Sequence, residues 1–314
     1  MDKIAVLFPC YNEGITIAKC IADYRAVLPE AVFYVYDNNS ADNTAAEALR
    51  AGAVLRREYQ QGKGFPMRRM FQEVDAEIYV YADGDGTYLA DNVAEMVRLV
   101  REEGADMVIG DRLSANYAEE ETRPFHNIGN GIVRKSISVF MDTDCKDALS
   151  GLRVLSYRFA KTFPITTNGF DTEAAMTMHG IDKKMRVLYV PTPMAKRPQG
   201  SVSSMRILKD GAAMLHTTFR LIKNYRPLAF FGLLSLLLFG IGLDLSLKPL
   251  IQYMNLAFEA WARIGMVAGF FCLGASLLLL CTGIILETVH QQDKVSFEWK
   301  LQQCERQLKE ERDM

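Results

Sequence analysis

From Ile4 to Ile109 short apolar runs alternate with stretches of helical spacing. The strand-like runs are Ile4 to Phe8, Ala31 to Tyr36, Val54-Leu55, Glu77 to Ala82 and Asp106 to Ile109. Between them, Ile15 to Leu28, Ala41 to Ala51, Phe65 to Val74 and Asn92 to Glu103 carry apolar residues at helical intervals. This rhythm predicts an α/β fold, a mainly parallel, Rossmann-like sheet with helices on both faces. Ligands in such sheets bind beyond the carboxyl ends of the strands. Four polar clusters fall there: Pro9 to Glu13, Asp37 to Asp42, Asp83 to Thr87 and Gly110 to Arg112. Beyond Arg112 the pattern is less regular. It predicts a helix over Asn127 to Phe140 and strands over Leu152 to Leu155 and Val187 to Val190, then a loop marked by Pro191, Pro193 and Pro198.

The C-terminal third changes character. Ile207 to Tyr225 reads as an amphipathic helix with Leu208, Leu215, Phe219 and Ile222 on one side and Lys209, Arg220 and Lys223 on the other. A basic amphipathic helix before an apolar segment suits a membrane surface; packing on the preceding domain is the competing reading. Leu228 to Leu243 is almost wholly apolar and extends to Leu247, and Ile264 to Leu286 is uncharged throughout. A bilayer core takes roughly 20 apolar residues. The second segment meets that length, and the first does so if Asp244 lies near the far headgroups or faces a protein partner. Lys and Arg favour the cytosolic side. Arg206, Lys209, Arg220, Lys223 and Arg226 precede the first segment, so both termini are expected in the cytosol. The expected division is a catalytic domain over 1–206, an amphipathic helix over 207–226, a two-helix transmembrane hairpin over 227–289 and a charged helix over 290–314.

The 314 residues carry a formal charge of −2, and no strongly basic domain points to nucleic acid. The six cysteines lack paired metal or redox spacing, which suggests a reducing compartment. Lys3 leads into a run too short for a secretory core, so the first half is expected to remain cytosolic.

The chemistry concentrates at the strand ends. Asp83-Gly84-Asp85 offers two hard carboxylate ligands for Mg²⁺ or Mn²⁺, the alternative being a plain Asp-Gly turn. A calcium loop of the EF-hand type is excluded, because Tyr88 and Ala94 stand where it needs Gly and Glu. Phe8 to Glu13 follows the first strand and can hold a nucleoside, with Tyr11 against the base and Glu13 near the ribose; an ordinary capped turn is the alternative. Asp37 can accept from a base N–H, while Ser40 or Asp42 is equally suited to cap the next helix. Gly62-Lys63-Gly64 can set an ammonium against a diphosphate. It is no Walker loop, since Arg57 occupies the first Gly position, and no Gly-x-Gly-x-x-Gly follows the first strand.

Taken in order, the Pro-x-Tyr-Asn-Glu start, the acidic cluster opened by Asp37, Gly-Lys-Gly and Asp-Gly-Asp resemble the family 2 glycosyltransferases with a GT-A fold, over roughly Lys3 to Arg153. Val108 to Arg112, Asp147 to Arg153, Gly169 to Glu173 and Arg197 to Ser201 look like the dolichyl-phosphate mannose synthase-like group. The two C-terminal apolar segments resemble its bacterial branch, the polyprenyl-phosphate glycosyltransferases. There are departures: Ser203-Ser204-Met205-Arg206 stands where Ser-Lys is frequent, and Leu149 and Leu152 where Thr and Phe are.

The resemblance implies inverting sugar transfer from a nucleotide-sugar to polyprenyl (undecaprenyl) phosphate, at the cytosolic face of a bacterial inner membrane; its bacterial branch favours a UDP-sugar, with GDP left open. It implies a donor site of Pro9, Tyr11, Asn12, Glu13, Asp37, Asn39, Lys63, Asp83 and Gly84, with Mg²⁺ or Mn²⁺ on Asp83 and Asp85. Arg112, Arg123, Arg197 and Ser201 become candidates for the acceptor phosphate. Asp147 and Arg112 are the candidate catalytic pair; Asp147 orients the acceptor, acts as a base, or is simply ion-paired with an arginine. It also implies a homo-oligomer. One rival is a tethered transferase acting on a lipid-linked oligosaccharide or a polysaccharide, although the Gln-x-x-Arg-Trp motif of processive synthases is absent. The other is a non-catalytic scaffold.

Overall fold

The computed structural model describes residues 1–114, 124–166, 169, 172–198, 219–254 and 260–313. Seven strands form one sheet in the order β3-β2-β1-β4-β6-β5-β7. They are β1 (Asp2–Cys10), β2 (Val32–Asp37), β3 (Val54–Arg57), β4 (Ala76–Tyr81), β5 (Met107–Asp111), β6 (Arg153–Ser156) and β7 (Val187–Pro191). All neighbours run parallel except β6, which is antiparallel to β4 and β5. The helices beside the sheet are α1 (Ile17–Val27), α2 (Thr44–Arg50), α3 (Gly64–Glu73), α4 (Val93–Arg101), α5 (Pro124–Met141), α6 (Tyr157–Thr162) and α7 (Thr172–Asp182).

β1 is an interior strand between β2 and β4, and its residues Ile4 to Phe8 are fully buried. A parallel strand covered on both faces must be apolar throughout, which explains the unbroken run Ile-Ala-Val-Leu-Phe. Register sets Cys10 opposite Asp37 and Leu7 opposite Tyr81. The chain moves outward from β1 through β2 to β3, then returns to β1's other side as β4. That reversal opens a crevice at the carboxyl ends of β1, β2 and β4. β4 is buried on both faces as well, and its last residues lead straight into Asp83.

The predicted strands all occur, and the predicted helices before Arg112 agree within a few residues. Three features go beyond the sequence reading. β6 runs antiparallel, a direction that local pattern does not encode. α6 has only six residues, too short for a periodic signal. α7 is buried at Thr172 to Gly180 and at Asp182, so it has no polar face to create a period.

The described part of the chain clusters into two compact units, residues 1–218 with 297–314, and residues 219–296. In the second unit, α8 (Pro227–Met254) and the first part of α9 (Ala260–Asp313) are long and apolar enough to cross a membrane. Leu236, Phe271 and Leu278 on these helices are largely exposed, so the pair is not the buried hairpin of a soluble core. Small residues bring the helices together: a Cβ on Gly242 would meet Leu273, and Ser235 Oγ donates to the Ser276 carbonyl at 2.7 Å. Asp244 pairs with Lys248 one turn on, at 2.8 Å. Most of the expected amphipathic helix lies outside the described residues; 219–225 is helical, with Leu221 and Ile222 buried.

Candidate active site

The crevice is built by loops that hold one another. After β1, Asn12 adopts a left-handed φ of 58°. Its backbone N–H donates to Ser40 Oγ at 2.9 Å, and its Oδ1 accepts from the Ala41 N–H at 2.8 Å. Asn12 therefore ties the first loop to the second. Pro9 is still within β1, opposite Tyr36. Tyr11 is 45% exposed, open for a planar ring to stack on. Asp37 is buried at the end of β2, where Oδ1 accepts from the Ser40 N–H at 3.1 Å. Asn39, also left-handed, donates to the Tyr59 carbonyl at 2.8 Å. Asn38 was not singled out from sequence, yet its amide donates to the Glu58 and Gln60 carbonyls and its Oδ1 accepts from the Gly62 N–H. It thereby fixes the turn that presents Lys63. Neither Ser40 nor Asp42 caps α2: the N-cap is Asn43, without a side-chain cap bond, and Asp42 before it accepts from the Thr44 N–H through Oδ1 at 3.0 Å.

The Asp83 loop follows β4. Thr16 Oγ1 donates to the Gly84 carbonyl at 2.6 Å. A Cβ on Gly84 would come within 2.6 Å of Cys10 Sγ, so this position takes only glycine without rearrangement. Asp85 Oδ1 accepts from the backbone N–H and hydroxyl of Thr87, at 3.0 and 2.6 Å. Its Oδ2 pairs with Arg197. Lys63 Nζ sits between Asp83, at 2.7 Å, and Glu173 on α7, at 2.6 Å. Across the loop, the Gly151 N–H donates to Tyr88 Oη at 2.6 Å, and a Cβ on Gly151 would run into the Asp83 carboxylate.

The electrostatics of this group are unbalanced. Glu13, Asp83, Asp85 and Glu173 bring four carboxylates, against three cations: Lys63, Arg197 and the buried Arg153, whose charge acts on Glu173. Burial and the neighbouring Asp85 charge push Glu13 up to about 7. Burial also raises Asp83, and the charges of Asp85 and Glu173 reinforce it against the pull of Lys63. For Lys63, burial works against the charged form, but Asp83 and Glu173 outweigh it and hold the ammonium well above its ordinary value. Such a surplus of negative charge fits a divalent cation. Among the described residues, no group of three or more His, Cys, Asp or Glu could hold a metal alone. An ion on Asp83 and Asp85 would keep coordination positions for water and phosphate oxygens, the habit of Mg²⁺ at phosphoryl sites.

Arg112 and Asp147 form a buried bidentate pair, Nε to Oδ2 at 2.7 Å and Nη2 to Oδ1 at 2.9 Å. Burial alone would raise Asp147; the Arg112 charge and hydrogen bonds outweigh it and leave the carboxyl below its ordinary range. The ion-pair alternative is thus the observed one, and so depressed a carboxylate is a weak base. Arg153, fully buried, donates to the Ala148 and Ser150 carbonyls and so fixes the loop that carries Asp147 and Gly151. Neither Arg153 nor Glu173 was given a role from sequence, although each stands in a motif that was noticed. Arg197 lies on the Asp85 carboxylate. Arg123 and Ser201 lie outside the described residues.

A GT-A-type sheet with an Asp-Gly-Asp loop at its central crevice defines a class of nucleotide-sugar-dependent transferases. The chain matches the model of glycosyl transferase family 2 over residues 5–164. It is 30% identical to glycosyltransferase AglJ of Haloferax volcanii over 298 residues, 93% of this chain and 97% of that protein. The chain belongs to the family 2 glycosyltransferases. It is also 25% identical to a dolichyl-phosphate hexose transferase of the same organism, over 62% of this chain and 84% of the relative. Its fold is that of Mycobacterium tuberculosis glucosyl-3-phosphoglycerate synthase, solved with Mn²⁺, UDP and phosphoglyceric acid. The TM-score is 0.56 at 19% identity, covering 71% of this chain and 78% of that one.

Proposed function

We propose that this protein transfers a sugar from a nucleotide-sugar, a UDP-sugar first, to polyprenyl phosphate on the cytosolic side of a bacterial inner membrane, with inversion at the anomeric carbon. The observation that carries the reading is the surplus of carboxylate charge around Asp83 and Asp85, in a chain that continues into two helices long enough to cross a bilayer. The similarity to a dolichyl-phosphate hexose transferase supports the lipid-phosphate acceptor.

A divalent cation on Asp83 and Asp85 would neutralise the departing nucleoside diphosphate. The remaining work falls to the chain. Tyr11 offers its exposed ring to the base, and Asp37, Asn39 and Glu13 line the same side of the crevice. Lys63 brings a fixed positive charge beside Asp83, where diphosphate charge develops. Arg197, held on the Asp85 carboxylate, would be free to meet an incoming anion if a cation occupied that carboxylate. Arg112, locked against Asp147, presents its guanidinium with little conformational freedom left to lose. A phosphate acceptor is already ionised at neutral pH, so no strong base is required, in accord with the depressed Asp147.

The test is a donor screen with the purified full chain, undecaprenyl phosphate and Mg²⁺ or Mn²⁺, read by mass spectrometry of the lipid. A glycosyl-phosphate lipid is the expected product. Transfer only to a lipid-linked oligosaccharide would establish the rival acceptor instead.

A further inference from the structure

The stretch of α9 from Phe297 onward belongs to the same compact unit as the sheet. Its contacts there are specific. Phe297 is 4% exposed and packs edge-on against His179 of α7, with ring centroids 5.3 Å apart. Lys183, just past α7, lies over the same ring at 5.6 Å. Phe159 and Phe163 complete an aromatic group around His179. One turn and more further on, Cys304 is buried, and Glu305 pairs with Arg158 of α6 at 3.5 Å.

Both helices touched in this way lead back to Lys63. α7 carries Glu173 in its first turn, about 9 Å along the helix axis from His179 at 1.5 Å per residue. Glu173 holds the Lys63 ammonium. α6 carries Lys161, which donates to the Phe71 and Val74 carbonyls at 2.9 and 2.8 Å, closing the C-terminal end of α3. α3 begins directly after Lys63. A buried helix moves as a rigid rod, so what supports one end sets the place of the other.

We infer that the C-terminal stretch from Phe297 is a positioning element for the active site: it braces α7 and α6, and through them fixes the Glu173–Lys63 ion pair. The inference adds a role outside the crevice to the reading above, and rests on it only for the use made of Lys63. The experiment needs no substrate. In the full chain, Phe297→Ala removes the ring, Phe297→Leu keeps its bulk, and two readouts are taken together: amide hydrogen exchange, and the acetylation rate of each lysine by mass spectrometry. Phe297→Ala should speed exchange in Glu173 to His179 roughly tenfold or more while β1 and β4 stay as in the parent. Lys63 should acetylate faster by a similar factor, the exposed Lys19 should not change, and Phe297→Leu should restore most of both. Unchanged Lys63 labelling despite a loosened α7 would overturn the inference. So would a uniform rise across all elements, which marks general destabilisation. Failure of sugar transfer in the parent chain would strike the proposed function and leave these readouts intact.

Discussion

Replacing Arg112 by Met leaves Asp147 as a buried carboxylate without its bidentate cation. Losing one member of a buried pair costs about 3–5 kcal/mol. Two backbone donors stay in place, the Arg112 and Leu149 N–H groups at 3.3 and 3.0 Å. The lower end of the range, about 3 kcal/mol, is therefore expected at neutral pH. For a unit of this size that corresponds to a fall in Tm of roughly 6–12 °C, at about 2–4 °C per kcal/mol. The sign of the pH dependence follows from the depressed Asp147. A carboxyl held below its ordinary value of 3.8 contributes stability at pH values above 3.8 and loses it as pH falls through the folded-state value. In the variant, burial without Arg112 raises the same group, so its protonation relieves the penalty early. The gap between parent and variant should be widest at pH 7 and narrow toward pH 4. The assay is denaturant-induced unfolding at both pH values, followed by near-ultraviolet circular dichroism of the buried tyrosines Tyr24, Tyr36, Tyr79 and Tyr81. A penalty that is equal at the two, or absent at pH 7, would refute the argument; Asp147→Asn combined with Arg112→Met should recover much of the loss.

Three further outcomes follow from the same geometry. Gly151→Ala places a methyl against the Asp83 carboxylate, and Mn²⁺ affinity in the presence of UDP, measured by electron paramagnetic resonance, should fall at least about tenfold while the fold survives. Burial pushes Cys10 well up and Cys20 up to about 12, so neither should be alkylated in the native protein at pH 8, and peptide mapping should find both labelled only after denaturation. Lys63→Met should cost about 3–5 kcal/mol by stranding Glu173, and Lys63→Met with Glu173→Gln distinctly less, as read by thermal unfolding.

The sheet was legible because each parallel strand had to be apolar on both faces and each loop polar, a contrast that Ile4 to Phe8 against Pro9 to Glu13 shows plainly. The Asp83 loop was legible as the turn after β4, because Asp83-Gly84-Asp85 breaks an apolar strand run abruptly. Other features left no local trace. The antiparallel direction of β6 depends on pairing between distant segments. α7 is buried on all sides, so its apolar residues mark no face. The partner of Lys63 is Glu173, more than a hundred positions away, and only the fold brings them together. Asn38 was overlooked because a turn asparagine reads as local, whereas its side chain holds the loop before Lys63.

The central claim is that Asp83 and Asp85 hold a divalent cation against a nucleoside diphosphate. Calorimetric titration of the full chain with UDP, in Mn²⁺ and in EDTA, tests it most directly. The account predicts binding in Mn²⁺ that is lost in EDTA and weakened at least about tenfold in Asp83→Ala and Asp85→Ala variants that unfold at or above the parent's temperature. UDP affinity that is the same with and without the metal, or unchanged in both variants, would contradict it.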